Sequence, residues 1–446
     1  MKSSTSSWAG FAEIDITPEK PDENQLIGFN RPDSRARGIL HPLKAQVLMF
    51  QSDVKICCLI AVDSIGFSTE LTDQLRDGIA EQINTSRENI MVCFSHTHSA
   101  PNAASNGAAY FKFAQHKIEK AVKEASLTMF PMKAAWGIAE NTIGVNRRGE
   151  SVSIDKRIGV LKITDAVTNK IKLLLLRVTA HANVLTSDNY LISSDYFGLT
   201  RDLLEKEYNC KVLMTQGAAG NVRSKYRQKN ADFLEEHPLE ASEITLDTKA
   251  KHAIFDESIA ALNRNAGEIH KAVISVVDKI HPTIIYRLTM SSDIHTFLAD
   301  VPPVNRAQEI VSEALSAGIG GKDWLEEVKE LNVNGIKSQE SRKEIQFLCL
   351  NNGGLCGVAD EPMCEIAIDI QEKANDSLIF FGGYTNGYEG YLPTADEYDK
   401  GGYEVLWSNL IYYKYYNRVM PLNRDTSENL AGIVVKKWKE ILGETE

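Results

Sequence analysis

Between residues 55 and 94 the hydrophobic pattern changes its period twice. The run from Lys55 to Val62 is almost wholly apolar and rich in β-formers, which suits a strand buried on both faces. Leu71, Leu75, Ile79 and Ile83 then recur every four residues, the stripe of an amphipathic helix over 68–84. Residues 90–94 return to strand character. A strand–helix–strand unit whose strands lack a polar face belongs in a layered α/β fold. The expected class is therefore α/β, with mixed β-sheets flanked by helices.

The rest of the chain repeats these signals. Residues 173–178, inside the apolar run 172–180, and residues 212–214 read as buried strands. Residues 245–262 and 305–315 read as helices. Residues 274–277 and 284–288 read as strands paired around Lys279-Ile280-His281-Pro282. A further strand is expected at 377–381. A closing helix is expected at 426–441, with Glu428 in its first turn and Lys436, Lys437 and Lys439 in its last turns. The polar stretch 228–243 reads as an exposed loop or a lid.

Composition narrows the class of function. At 446 residues the chain can bury a large core without disulfide or metal staples. Its length alone suggests about three domains at roughly 150 residues each. With 49 basic and 60 acidic residues the net charge is −11, which argues against a general nucleic-acid binder. Seven cysteines form no Cys-x-x-Cys pair, so reduced, mostly buried thiols are expected. No window approaches the ~18 apolar residues of a membrane span. The first residues lack the apolar stretch of a secretory signal, so the cytoplasm is the expected location.

Residues that can do chemistry cluster at strand ends. Ser95-His96-Thr97-His98 follows the strand 90–94 directly. In an extended segment residues two apart share a side, so His96 and His98 can face one cavity. Open α/β sheets place their sites at such carboxyl ends, and imidazole is a common zinc ligand. Two solvated loop histidines would have the same spacing. His181 ends the run 172–180, as either a hydrogen-bonded core residue or a ligand. Gln216-Gly217-Ala218-Ala219-Gly220-Asn221 is small enough for close backbone approach, as an oxyanion pocket, a phosphate seat or a tight turn. It lacks the Lys-Ser/Thr of a P-loop. The tyrosine-rich stretch 383–394, with Tyr398 and Tyr403 beyond it, is either an aromatic platform or a packed loop.

Taken in order, these short motifs resemble the catalytic domain of the neutral/alkaline (non-lysosomal) ceramidase family. Gly10-Phe11-Ala12-Glu13-Ile14-Asp15-Ile16-Thr17-Pro18 is similar to the family's opening segment. Gly38-Ile39-Leu40-His41-Pro42-Leu43 and Asp63 follow. His96-Thr97-His98-Ser99-Ala100-Pro101 resembles the family's His-Thr-His-Ser-Gly-Pro. Asn146-Arg147, Ala180-His181 and Ile192-Ser193-Ser194-Asp195-Tyr196 complete the series.

The resemblance implies one zinc ion held by His96, His181, Glu361 of Asp360-Glu361-Pro362, and Tyr391 of Gly390-Tyr391-Leu392-Pro393-Thr394, with Tyr388 as the rival to Tyr391. It implies that His98 and Tyr403 polarise a carbonyl and stabilise the oxyanion, and that Arg147 holds substrate. Where the family has Gln-Ser-Asn-x-Gly-Asp, this chain has Gly217 and Asn221 at the serine and aspartate positions, both expected to face substrate. The family's C-terminal immunoglobulin-like domain has no counterpart, so residues 1–446 are expected to form one catalytic domain. The implied activity is hydrolysis of an amide (C–N) bond by metal-bound water, on a small or acylated substrate other than ceramide. An esterase or lactonase, a lyase or isomerase, and a non-catalytic binding protein are the alternatives.

Overall fold

In strands β1 (Trp8–Asp15), β2 (Lys44–Ser52), β3 (Lys55–Val62) and β4 (Ile90–Phe94), successive side chains enter two different cores. In β3, Cys58, Ile60 and Val62 point one way, and Cys57, Leu59 and Ala61 the other. This is why the run 55–62 shows no polar face. The computed structural model describes residues 7–444 apart from 30, 32, 53–54, 104–107, 150, 151, 153 and 228–247. The expected loop at 228–243 lies outside the described residues.

The remaining strands are β5 (Phe130–Glu140), β6 (Gly144–Asn146), β7 (Arg157–Asp165), β8 (Ile171–Val178), β9 (Lys211–Gln216), β10 (Val222–Ser224), β11 (Thr283–Ile284), β12 (Leu288–Asp300), β13 (Ser338–Leu350), β14 (Gly353–Gly357), β15 (Glu361–Pro362), β16 (Ile379–Gly382) and β17 (Tyr391–Leu392). One nine-stranded sheet runs β4-β3-β2-β1-β5-β7-β8-β9, with β11 on β5. A four-stranded sheet runs β12-β13-β14-β16, and two-stranded ribbons join β6 to β10 and β15 to β17.

The sheets face one another across a shared core, where Leu59, Met91, Leu161 and Leu175 of the large sheet meet Leu348, Leu355 and Phe380 of the small one. Helices Thr69–Gln82 and Ala108–Leu127 cover the outer face of β1–β4, through Leu75, Ile79, Phe111 and Ile118. Helices Asp195–Tyr208 and Thr248–Val277 cover β7–β9 through Leu204, Leu262 and Val273. Helices Cys364–Ala374 and Thr426–Leu442 cover the small sheet through Ile370, Val434 and Trp438. The order is helix, sheet, sheet, helix. No helix among the described residues is long and apolar enough to cross a membrane. All seven cysteines are buried free thiols.

Most expected elements are found within a few residues. Ser68 caps the helix Thr69–Gln82 by accepting from the Leu71 amide at 3.2 Å. The expected helix at 305–315 is Val304–Ser316. One expectation is overturned: residues 274–277 are not a strand but the end of helix Thr248–Val277. Ile269, Val273 and Val277 repeat every four residues onto the core under β8, and that packing overrides the β-preference of Val and Ile. The paired strands expected around Lys279–Pro282 are therefore absent. Instead Thr283–Ile284 pairs with β5, and Leu288 starts β12.

Four strand pairs are parallel: β3 with β4, β8 with β9, β14 with β16, and β15 with β17. Loops leaving the carboxyl ends of such strands are where α/β proteins gather functional groups. His96 follows β4, His181 follows β8, Glu361 follows β14, and Tyr384 follows β16.

A candidate metal centre in a basic cavity

Backbone hydrogen bonds between these loops fix the site. The Ser95 amide donates to Val62 O at 3.0 Å and the His96 amide to Ser64 O at 2.8 Å, tying the end of β4 to that of β3. The Phe94 amide donates to Tyr384 O at 2.9 Å, bringing in the loop after β16. The His98 amide reaches Ala182 O at 3.2 Å, and the His181 amide reaches Val222 O at 2.9 Å. The Glu361 amide donates to Gly390 O at 2.7 Å, beside the Glu361–Tyr391 pair of the β15–β17 ribbon. His96 and Tyr384 both take left-handed backbone, at φ of 60° and 55°. Such backbone is costly for residues with a Cβ and concentrates at functional sites.

Each histidine is held by one ring nitrogen. Nδ1 of His96 lies 2.7 Å from Ile65 O, Nδ1 of His98 lies 3.0 Å from Gly28 O, and Nδ1 of His181 lies 2.6 Å from Ala219 O. A carbonyl oxygen only accepts, so each Nδ1 carries a hydrogen, and a ring that is neutral then has its lone pair at Nε2. One ring nitrogen from each of the three histidines lies within 4.8 Å of the others. Glu361, 1% exposed, places Oε2 at 3.3 Å from His96 Nε2 and 3.1 Å from His181 Nε2. The His181 Nε2 contact is close in distance without being a hydrogen bond, and His98 Nε2 has no hydrogen-bond partner. Tyr384 donates its hydroxyl to the same carboxylate oxygen at 3.2 Å.

The electrostatics favour ligating forms. Burial, then Arg147, push the His181 imidazole down to about 4. Burial, then His96 and His181, hold His98 well below its ordinary value. Burial alone would raise the Glu361 carboxyl, but His96 and then His181 keep it well below the usual carboxylate range. Three imidazoles and a carboxylate converging in a dry site are a donor set that could hold a metal ion. Backbone carbonyls on the far nitrogens are the usual second layer of such sites.

A cavity of about 1040 Å³ opens onto this cluster. His96, His98, Glu361, Tyr388, Tyr391 and Tyr403 line it, as do Arg147 and Glu404, whose guanidinium and carboxylate are paired. The Tyr391 and Tyr403 rings lie 6.1 Å apart, and the Tyr388 ring lies 5.4 Å from that of His96. Burial, then the Glu361 charge, push the phenols of Tyr391 and Tyr388 well above their ordinary value.

Of the residues singled out from sequence, His96, His98, His181, Glu361, Tyr391, Tyr403 and Arg147 come together here, with Tyr388 beside them. Gly217 and Asn221 do not line the cavity. A Cβ at Gly217 would sit 2.1 Å from Thr179 Oγ1, so this glycine serves close packing. Asn221 joins two segments, donating to Glu365 at 2.7 Å and accepting from the Cys364 amide at 2.9 Å. Sequence reasoning missed Tyr384 and the cavity arginines Arg31, Arg223 and Arg227. Its position just past an apolar strand, like that of His96, was the available signal for Tyr384.

Two facing sheets, helix-covered outside and with a site at shared carboxyl ends, define a four-layer α/β class. No family model matches the chain, and no curated protein sequence matches it. Solved structures do match. Neutral ceramidase from Pseudomonas aeruginosa superposes with a TM-score of 0.71 at 15% identity, over 97% of this chain and 74% of that one. A ceramidase complexed with C2 gives 0.68 at 15% identity, over 97% and 75%. The chain therefore has the neutral ceramidase fold, as the sequence resemblance implied.

Proposed function

We propose that this protein is a metal-dependent hydrolase that cleaves an amide bond in a small or acylated substrate other than ceramide. The observation that carries the reading is the convergence of three Nε2 lone pairs and the Glu361 carboxylate in a buried site whose histidine protons are all committed to backbone carbonyls. In this reading His96, His181, Glu361 and Tyr391 hold one zinc ion. Zinc in such a setting supplies Lewis acidity, polarising a carbonyl and making water acidic near neutral pH.

The chain's own groups have separate tasks. Tyr403, beside Tyr391, directs its hydroxyl hydrogen at the reacting carbonyl, and His98, its Nδ1 hydrogen held by Gly28 O, offers Nε2 to take up a proton. Arg147, anchored by Glu404, orients a substrate oxygen through its planar fork. Tyr384 holds the Glu361 carboxylate in place. Domain extent and compartment follow the expectations from sequence: one catalytic unit, working in the cytoplasm.

Metal analysis of the purified protein, repeated on His96→Ala, tests the site. Stoichiometric zinc in the parent and its loss in the variant are expected; zinc that survives the substitution would sink the assignment. A panel of acyl amides, esters and lactones with product masses tests the reaction. Amide hydrolysis adds the elements of water, whereas elimination or isomerisation does not.

A further inference from the structure

The cavity is basic in a protein that is acidic overall. Among the described residues four arginines line it, Arg31, Arg147, Arg223 and Arg227, against the carboxylates Glu361 and Glu404, in a chain of net charge −11. Both carboxylates are engaged, Glu361 with the histidines and Tyr384, and Glu404 with Arg147. Arg31 is 6% exposed. Its Nε donates to Asn189 O at 2.9 Å and its Nη2 to His98 O at 3.1 Å, while Nη1 is buried with no hydrogen-bond partner among the described residues. Arg227 is half-buried, and its Nε likewise has no hydrogen-bond partner among the described residues.

The described acids that act on these guanidiniums, Asp188 on Arg31 and Asp195 and Glu404 on Arg227, are also bonded elsewhere. Asp188, which acts on Arg31, accepts from the Thr186 hydroxyl. Asp195, which acts on Arg227, accepts from the Leu185 and Tyr196 amides at 3.1 and 2.8 Å. Burial, then the like charges of Arg147 and Arg223, press the Arg227 guanidinium down to about 10. Burial does the same to Arg31. Buried guanidinium nitrogens left without a hydrogen-bond partner destabilise a fold unless a ligand supplies the acceptor and the opposite charge. Low-dielectric walls lined by one sign of charge also concentrate the opposite ion.

We propose that the substrate of this cavity is an anion, an acyl compound bearing a carboxylate, sulfonate or phosphate that Arg31 and Arg227 hold while its carbonyl lies at the histidine cluster. That the compound is an acyl amide rests on the hydrolase reading above; the anion site does not. The substrate class is thereby set apart from a neutral lipid.

The test is calorimetric binding to the full-length metal-loaded protein, with a ligand that cannot be cleaved. The probe is N-hexanoylglycine with its amide NH replaced by CH2, compared with the neutral carboxamide of the same compound. The acid should bind at least about tenfold more tightly than the carboxamide, and its affinity should fall with added salt. Arg227→Gln and Arg31→Gln should each weaken acid binding about tenfold and leave carboxamide binding unchanged. Arg227→Lys, which keeps the charge at a half-buried position, should restore part of the loss. Equal binding of acid and carboxamide, acid binding unaffected by both Gln variants, or no binding of either ligand overturns the proposal. Arginine-dependent binding of the acid without turnover of its cleavable parent would instead overturn the hydrolase reading and leave this one standing.

Discussion

At the scale of single residues, His98 separates two arrangements of the same site. The family resemblance gives the ligands as His96, His181, Glu361 and Tyr391, whereas the three imidazoles alone already lie within ligand distance of one another. In the proposed mechanism His98 acts on the substrate. His98→Gln should then lower kcat by about 10²–10⁴, as loss of one acid–base group does, with zinc content unchanged. Metal content measured beside turnover decides it, because a fall in zinc would make His98 a ligand. A second residue predicts pH dependence. Burial pushes the Asp195 carboxyl up to about 6 against the Leu185 and Tyr196 amides that favour its charge. The folded state thus holds this proton more tightly than the unfolded state. The stability it contributes is full below about pH 4 and is lost as pH rises through 6. Ionised at pH 7, the group costs roughly 3 kcal/mol. Asp195→Asn does not titrate, so its stability relative to the parent should rise by about that amount between pH 4 and pH 7. Urea unfolding at both pH values measures the change, and any fixed cost of the amide cancels between them.

At the scale of elements, a glycine decides whether one loop can sit against another. Gly220, in the turn between β9 and β10, would place a Cβ 2.4 Å from Glu361 O and 2.9 Å from Pro362 O. Both are backbone atoms of the ribbon that carries the carboxylate, so neither yields cheaply. Gly220→Ala should destabilise the fold by about 1–3 kcal/mol and reduce metal content by shifting Glu361. Gly432→Ala is the matched control. It lies in helix Thr426–Leu442 with nothing within 4 Å of its Cβ, and should gain up to about 1 kcal/mol. Thermal melts and metal analysis of the two variants check both statements. The same contrast explains what the sequence could reveal. β3, helix Thr69–Gln82 and β4 were legible because their periodicity reports which faces are buried. His96 and His181 stood out because each directly follows an apolar strand. The end of helix Thr248–Val277 was misread because Val and Ile suit a strand equally well, and only contact with the core beneath β8 selects the helix. Gly217 and Asn221 were placed in the cavity because a packing glycine and a cross-linking amide have the same letters as an oxyanion turn. Arg31, Arg223 and Arg227 escaped because their gathering depends on how separate loops meet.

At the scale of the whole molecule, the site belongs to both sheets at once. His96 and His181 leave strands of the large sheet, while Glu361 and Tyr384 leave strands of the small one. Buried charges bind the same halves together. Arg76 of the first helix donates to Glu344 of β13 at 2.6 Å. Within the small-sheet half, Lys343 of β13 donates to Asp360, beside Glu361, at 2.7 Å, and also to Glu389. Such a site cannot assemble in a partly folded chain, so a metal bound there binds the native state alone. Linkage then requires such a metal, zinc in the proposed reading, to stabilise the native state of the whole chain in one cooperative transition, by about 2.7 kcal/mol at a free concentration a hundredfold above Kd. Protein stripped with a chelator and titrated with zinc should melt in one calorimetric transition. Its Tm should climb with the logarithm of zinc concentration, by about 2–4 °C per kcal/mol or somewhat less for a chain this long. In His181→Ala the melt should no longer respond to zinc. If zinc splits the melt into two transitions, so that only one sheet is stabilised, the ligands do not come from both halves. The shared centre would then be wrong even where zinc is bound.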